Sequence, residues 1–111
     1  MSIVAAMLLA GAQPVLAKAG DCGWVHGRFG ISNGSSIQRI WMIGTSHMLA
    51  LYDDDTYYPP SMRRLVDSRS FVPFETDIYG DFHVCARQRR ISGHMQHVRL
   101  KSAKNLIAVQ R

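Results

Sequence analysis

Asp77 and Asp81, four residues apart, have the spacing that first invites acid–base chemistry. They share a parity in an alternating stretch, so as strand residues they lie about 13 Å apart by strand rise. A retaining carboxylate pair needs about 5–5.5 Å, so both read as exposed strand carboxylates. His26 and His83 come next. Brought together with Asp81 across two strands, two imidazoles and a carboxylate have the makings of a zinc site. The plainer expectation is that these histidines stabilise a strand pair and hold no metal. His94 and His97 differ by three and on a strand point to opposite faces. Asp53-Asp54-Asp55 lacks the spaced oxygen ligands and the glycine of a calcium loop. No His-Glu-x-x-His, Gly-x-Ser-x-Gly or phosphate-cradling glycine loop occurs. The expectation is a protein that is not an enzyme, with no catalytic residue, metal or cofactor.

Cys22 and Cys85 are the two cysteines of the chain. Two permit one intramolecular pairing, and a disulfide between them leaves no thiol nucleophile. The charge is more telling. The formal net charge of the 111 residues is +5, and it is unevenly spread. Every acidic residue lies at or before Asp81, whereas Arg87, Arg89, Arg90, Arg99, Lys101, Lys104 and Arg111 follow with no acid among them. Such asymmetry points to an anionic partner.

Residues 1–17 read as a secretory signal peptide, and residues 18–111 as one small β domain. The apolar run over residues 3–10 has the length of a leader core and is too short to span a bilayer. Pro14 breaks it, and residues 15–17 supply the cleavage positions, with Ala19 as a second candidate. No Lys or Arg precedes the run. Cys22 follows Asp21, which argues against lipidation. The expected location is periplasmic or secreted, where a disulfide forms and persists.

These side chains must be positioned by strands. Residues 76–86 alternate strictly: Ile78, Gly80, Phe82, Val84 and Ala86 on one parity, Tyr79, Asp81, His83 and Cys85 on the other. Residues 22–31 form a first strand, followed by a turn at Ser32-Asn33-Gly34-Ser35. Residues 36–43 form a second, Gly44-Thr45-Ser46 a turn, and residues 47–52 a third. Residues 61–66 suit one or two helical turns, entered at Pro60 with Ser61 near the cap. Val72-Pro73-Phe74 is expected to tuck against the core. Residues 94–100 begin a fifth strand. Residues 106–109 extend or follow it, with a bulge or turn at 101–105.

Three strands, a short helical connection and two strands give a mainly β chain in the order of a five-stranded OB-like barrel. Another small β-barrel, a sandwich or an open meander is the alternative. In the OB order the first and fourth strands are antiparallel neighbours, which brings Cys22 to Cys85. That register sets Trp24 against His83, His26 against Asp81 and Arg28 against Tyr79.

Three runs also resemble small exported bacterial proteins of unknown function. They are Cys22-Gly23-Trp24-Val25-His26-Gly27-Arg28, Arg39-Ile40-Trp41-Met42-Ile43-Gly44-Thr45 and Asp77-Ile78-Tyr79-Gly80-Asp81-Phe82-His83-Val84-Cys85. The resemblance implies export and brings no activity.

In an OB-like barrel the loop at residues 87–93 joins strands four and five and borders the ligand face with strands two and three. The expected binding residues are therefore Arg39, Trp41, Arg87, Arg89 and Arg90. Trp24 is a further stacking candidate. The bland alternatives are a solvated basic turn and a core Trp41. The expected function is an exported, non-enzymatic binding module presenting a basic loop to an anionic envelope partner: lipopolysaccharide, a glycan or an acidic protein. The compartment argues against nucleic acid. The alternative is a structural or accessory envelope protein docking on another protein.

Overall fold

The computed structural model describes residues 13–32, 34, 37–51 and 58–111. The apolar run at residues 3–10 expected to be a leader core, Asn33 and Ser35 of the Ser32-Asn33-Gly34-Ser35 turn, and the run Asp53-Asp54-Asp55 lie outside the described residues. Five strands and one helix follow in order: β1 (Cys22–Ile31), β2 (Gln38–Met42), β3 (Met48–Leu51), α1 (Pro60–Val66), β4 (Thr76–Ala86) and β5 (Gln96–Gln110).

The strands form one mixed sheet that closes in a ring, in the order β1-β2-β3-β5-β4 and back to β1. β1 pairs antiparallel with both β2 and β4, and β4 with β5; β3 runs parallel to β5 and closes the ring. The β1–β4 register sets Cys22 opposite Cys85, Trp24 opposite His83, His26 opposite Asp81 and Arg28 opposite Tyr79. Cys22 and Cys85 are disulfide-bonded, with Cα atoms 4.0 Å apart.

Alternation sends one parity of β1, β2 and β4 inward, while the short β3 is buried at Leu49, Ala50 and Leu51. Val25 and Phe29 of β1, Ile40 and Met42 of β2, Leu49 and Leu51 of β3, and Ile78, Phe82 and Val84 of β4 fill the ring. Burying each such side chain is worth about 1.5–3 kcal/mol, the main stabilising term in so small a core. Two inward positions are glycine for lack of space. Gly27 and Gly80 face each other across β1 and β4. A Cβ on Gly27 would meet Ile40 Cγ2 at 2.5 Å, and one on Gly80 would meet Leu106 Cδ2 at 2.5 Å.

α1 connects β3 to β4 and packs against β5. Its Met62 is fully buried. Ser61 makes no cap: its hydroxyl donates to the Ala103 carbonyl at 2.7 Å, and the N-terminus has no side-chain cap. The residue that reaches the core after α1 is Phe71; Val72 is exposed, so Val72-Pro73-Phe74 is not the tucked segment. β5 is a single long strand. Its pairing with β4 shifts register twice, and Asn105 takes φ +57°, so residues 101–105 are bulged strand rather than turn. No helix among the described residues is long and apolar enough to cross a membrane.

Residues 13–17 lie on this sheet. Leu16 is 2% exposed and belongs to the core. Gln13 donates from Nε2 to the His26 carbonyl at 2.6 Å and the Ile43 carbonyl at 3.1 Å, and its Oε1 accepts from the His26 amide at 3.0 Å. The buried Gln96 donates to the carbonyls of Leu16 at 2.8 Å and Gln88 at 2.9 Å. Its Oε1 accepts from His47 Nε2 at 2.9 Å. One glutamine side chain thus satisfies three elements.

Candidate functional site

The outward parity of β1, β2 and β4 carries the chemistry. Because strands pair residue by residue, this face is organised in rows. Trp41, Arg28 and Tyr79 lie side by side in one row; in the next Arg39 pairs with Gly30, and the Asp77 side chain lies against Gly30. Glycine at position 30 makes room for the Asp77 and Arg111 side chains. A Cβ there would meet Arg111 Nη2 at 2.7 Å and Asp77 Oδ1 at 2.8 Å. The two rows line a groove of about 500 Å³ with Arg28, Arg39, Trp41 and Tyr79 among its walls.

Each wall is held differently. Trp41 donates from Nε1 to the Thr45 carbonyl at 2.7 Å, which fixes the ring against the β2–β3 turn. The Arg28 guanidinium lies 4.9 Å from that ring's centroid, a cation–π contact. Trp41 is half-buried on the outer face, since β2 sends Ile40 and Met42 to the core; it is not a core residue. Among the described residues, neither Arg28 nor Arg39 has a carboxylate within ion-pair distance.

Asp77 departs from the sequence expectation. It is buried, 8% exposed, and not a solvated strand carboxylate. The chain's last residue explains this: Arg111 Nε donates to Asp77 Oδ1 at 2.8 Å, and its Nη1 donates to the Phe74 carbonyl at 2.9 Å. With Asp77, the one acidic side chain among the described residues that line it, spent on Arg111, the groove presents a net positive face. Its chemistry is recognition of an anion, with two flat aromatic surfaces beside the charges.

The five residues expected from sequence are divided. Arg39 and Trp41 share the groove. Arg90 lines a separate hollow with His47 and His94, which touches the groove only through Met48. Arg87 lies beside the disulfide with Arg99 and Lys101. Arg89 is exposed and lines none of these three depressions. The loop is pinned by its backbone: the Arg87 amide donates to the His97 carbonyl at 2.9 Å and the Arg90 amide to the Ala17 carbonyl at 3.0 Å. Arg28 and Tyr79 were missed as site residues. Their signal was the disulfide register, which set them opposite each other on the polar parity.

A third row holds His26 and Asp81. His26 Nδ1 is 3.1 Å from Asp81 Oδ1, and Asn105 Nδ2 donates to Asp81 Oδ2 at 2.9 Å. His83 stacks on Trp24 instead, with centroids 5.1 Å apart, and Lys104 Nζ lies 4.4 Å from the Trp24 centroid on which it rests. Among the described residues no three His, Cys, Asp or Glu side chains converge as a metal site.

The Asn105 hydrogen bond, then that of His26, hold the Asp81 carboxyl below its ordinary value, against a partial desolvation that raises it. A carboxyl depressed in the folded state adds stability above its unfolded pKa, lost as pH falls through the folded one. Asp81→Asn is therefore expected to remove part of the acid-induced loss of stability below about pH 4. Unfolding midpoints measured from neutral to acidic pH check this; parallel profiles for parent and variant count against it.

Compared with known proteins, the chain matches no family model, no curated protein and no solved structure. The resemblance to small exported bacterial proteins expected from three runs finds no family or relative behind it. The chain stands as a small, mainly β domain with one disulfide.

Proposed function

We propose that this chain is an exported, non-enzymatic binding module with an OB-like fold, which takes an acidic saccharide of the cell envelope, such as the phosphate-bearing sugars of lipopolysaccharide, in the groove over β1, β2 and β4. The observation that carries the reading is the set Arg28, Arg39, Trp41 and Tyr79 in one groove. Guanidinium groups fork onto phosphate and carboxylate oxygens, and an aromatic face accepts the flat side of a sugar ring. The ring order and the helix between β3 and β4 support the OB-like reading. The disulfide is consistent with export to an oxidising compartment. The ligand contacts thus shift from the loop at 87–90 to the sheet face, with Arg39 and Trp41 kept from the earlier set.

The test is titration of the protein with purified lipopolysaccharide, followed by tryptophan fluorescence. Charge-assisted hydrogen bonds are worth about 1.5–3 kcal/mol each. Arg28→Ala with Arg39→Ala is therefore expected to weaken binding by roughly 100-fold or more, and the parent's affinity to fall steeply with added salt. Arg89→Ala with Arg90→Ala is expected to change it far less. The reading fails if the loop pair abolishes binding while the groove pair does not. Salt-independent capture of one protein at fixed stoichiometry would instead support the accessory-protein alternative.

A further inference from the structure

We infer that leader processing of this chain falls between Ala12 and Gln13, and that residues 13–17 are retained as a strap of the folded domain. The inference rests on the export reading proposed above. Between the end of the apolar run and Cys22, three bonds have small or modest residues at the third and first positions before the cut: Ala10 and Ala12, Val15 and Ala17, and Ala17 and Ala19. Composition alone does not separate them.

The packing does. A cut after Ala17 or Ala19 removes Leu16, which is 2% exposed and sits in the core. It removes Gln13, whose side chain bonds to the backbone of His26 and of Ile43 and so ties β1 to the β2–β3 turn. The carbonyls of Leu16 and Ala17 go too, and with them partners of the buried Gln96 side chain and the Arg90 amide. A buried donor left without an acceptor is costly. β1 is also shaped to the strap. A Cβ on Gly23 would meet Pro14 Cβ at 3.0 Å and Pro14 Cγ at 3.1 Å, so the strand carries glycine where the strap crosses it. Residues of a discarded leader have no reason to fit the mature domain in this way.

The cut after Ala12 costs none of these contacts. The peptidase reads the residues flanking the bond, and Ala10 and Ala12 are small.

The full chain, expressed behind its own leader in a bacterium with a periplasm, supplies the test by intact mass and N-terminal sequencing. The expected mature protein begins at Gln13, with or without loss of ammonia from that residue. Ala12→Leu is expected to leave uncut precursor, and Ala17→Leu to be processed like the parent. A mature chain beginning at Lys18 or Gly20, or a block by Ala17→Leu, overturns the inference and leaves export standing. A parent chain that stays uncut in the cytoplasm overturns the inference and the export reading together.

Discussion

Replacing both Cys22 and Cys85 with serine is expected to destabilise the domain by about 4 kcal/mol, the loop-closure value for a cross-link of this span. The two cysteines are 63 residues apart, and the loop between them contains β2, β3 and α1. For a domain near 100 residues each kcal/mol moves the midpoint by about 4–8 °C, so thermal unfolding should shift down on the order of 15–30 °C. The disulfide closes the end of the β1–β4 pair, and β1 is also the partner of β2. Loosening that end frays the strand on which both neighbours depend. Both positions lie on the outward parity, where serine hydroxyls reach water, so the loss reports the cross-link and not a packing defect. Reductant added to the parent should reproduce it. A midpoint that moves by no more than a few degrees in either experiment would show that the sheet holds this pairing unaided.

Leu16→Ala comes next, at about 2–5 kcal/mol, the range for removing a buried leucine side chain. The neighbouring Val15 is 67% exposed, so Val15→Ala should stay within about 0.5 kcal/mol. The contrast between adjacent residues makes the measurement specific. Chemical denaturation of the full chain, variant against parent, gives both values. Equal effects from the two substitutions would mean that residues 13–17 do not pack on the sheet as described.

Several features were legible because they depend on neighbours in register. The alternation in residues 76–86 by itself assigned the inner and outer faces of β4. Pairing Cys22 with Cys85 then set every rung of the β1–β4 ladder, since a strand's period of two leaves no freedom once one pair is known. The helix between β3 and β4 was marked by Pro60. The same register had already put Arg28 beside Tyr79, but the excess of basic residues after Asp81 drew the expected site toward residues 87–90.

Other features were not legible, for reasons that residue types do not carry. The burial of Asp77 depends on Arg111, 34 residues away; until the two are adjacent, an aspartate on a polar parity reads as exposed. Leu16 belongs by composition to the end of a leader, and only Gln96, 80 residues away, and the missing side chain at Gly23 show that it belongs to the core. The groove itself requires three strands at once: Arg39 from β2, Arg28 and Gly30 from β1, and Tyr79 from β4.

What the sequence alone determined was which residues of β1 and β4 face inward, which strands neighbour through the disulfide, and that the charge is lopsided, all consequences of local period and one covalent constraint. What only the tertiary structure decided was where that charge is usable. Arg111 is neutralised by Asp77, Arg87 and Arg90 lie in separate hollows, and Arg28 and Arg39 are brought to one aromatic-walled groove. Closing the ring fixes distances between side chains that no spacing along the chain encodes, and electrostatic function depends on those distances.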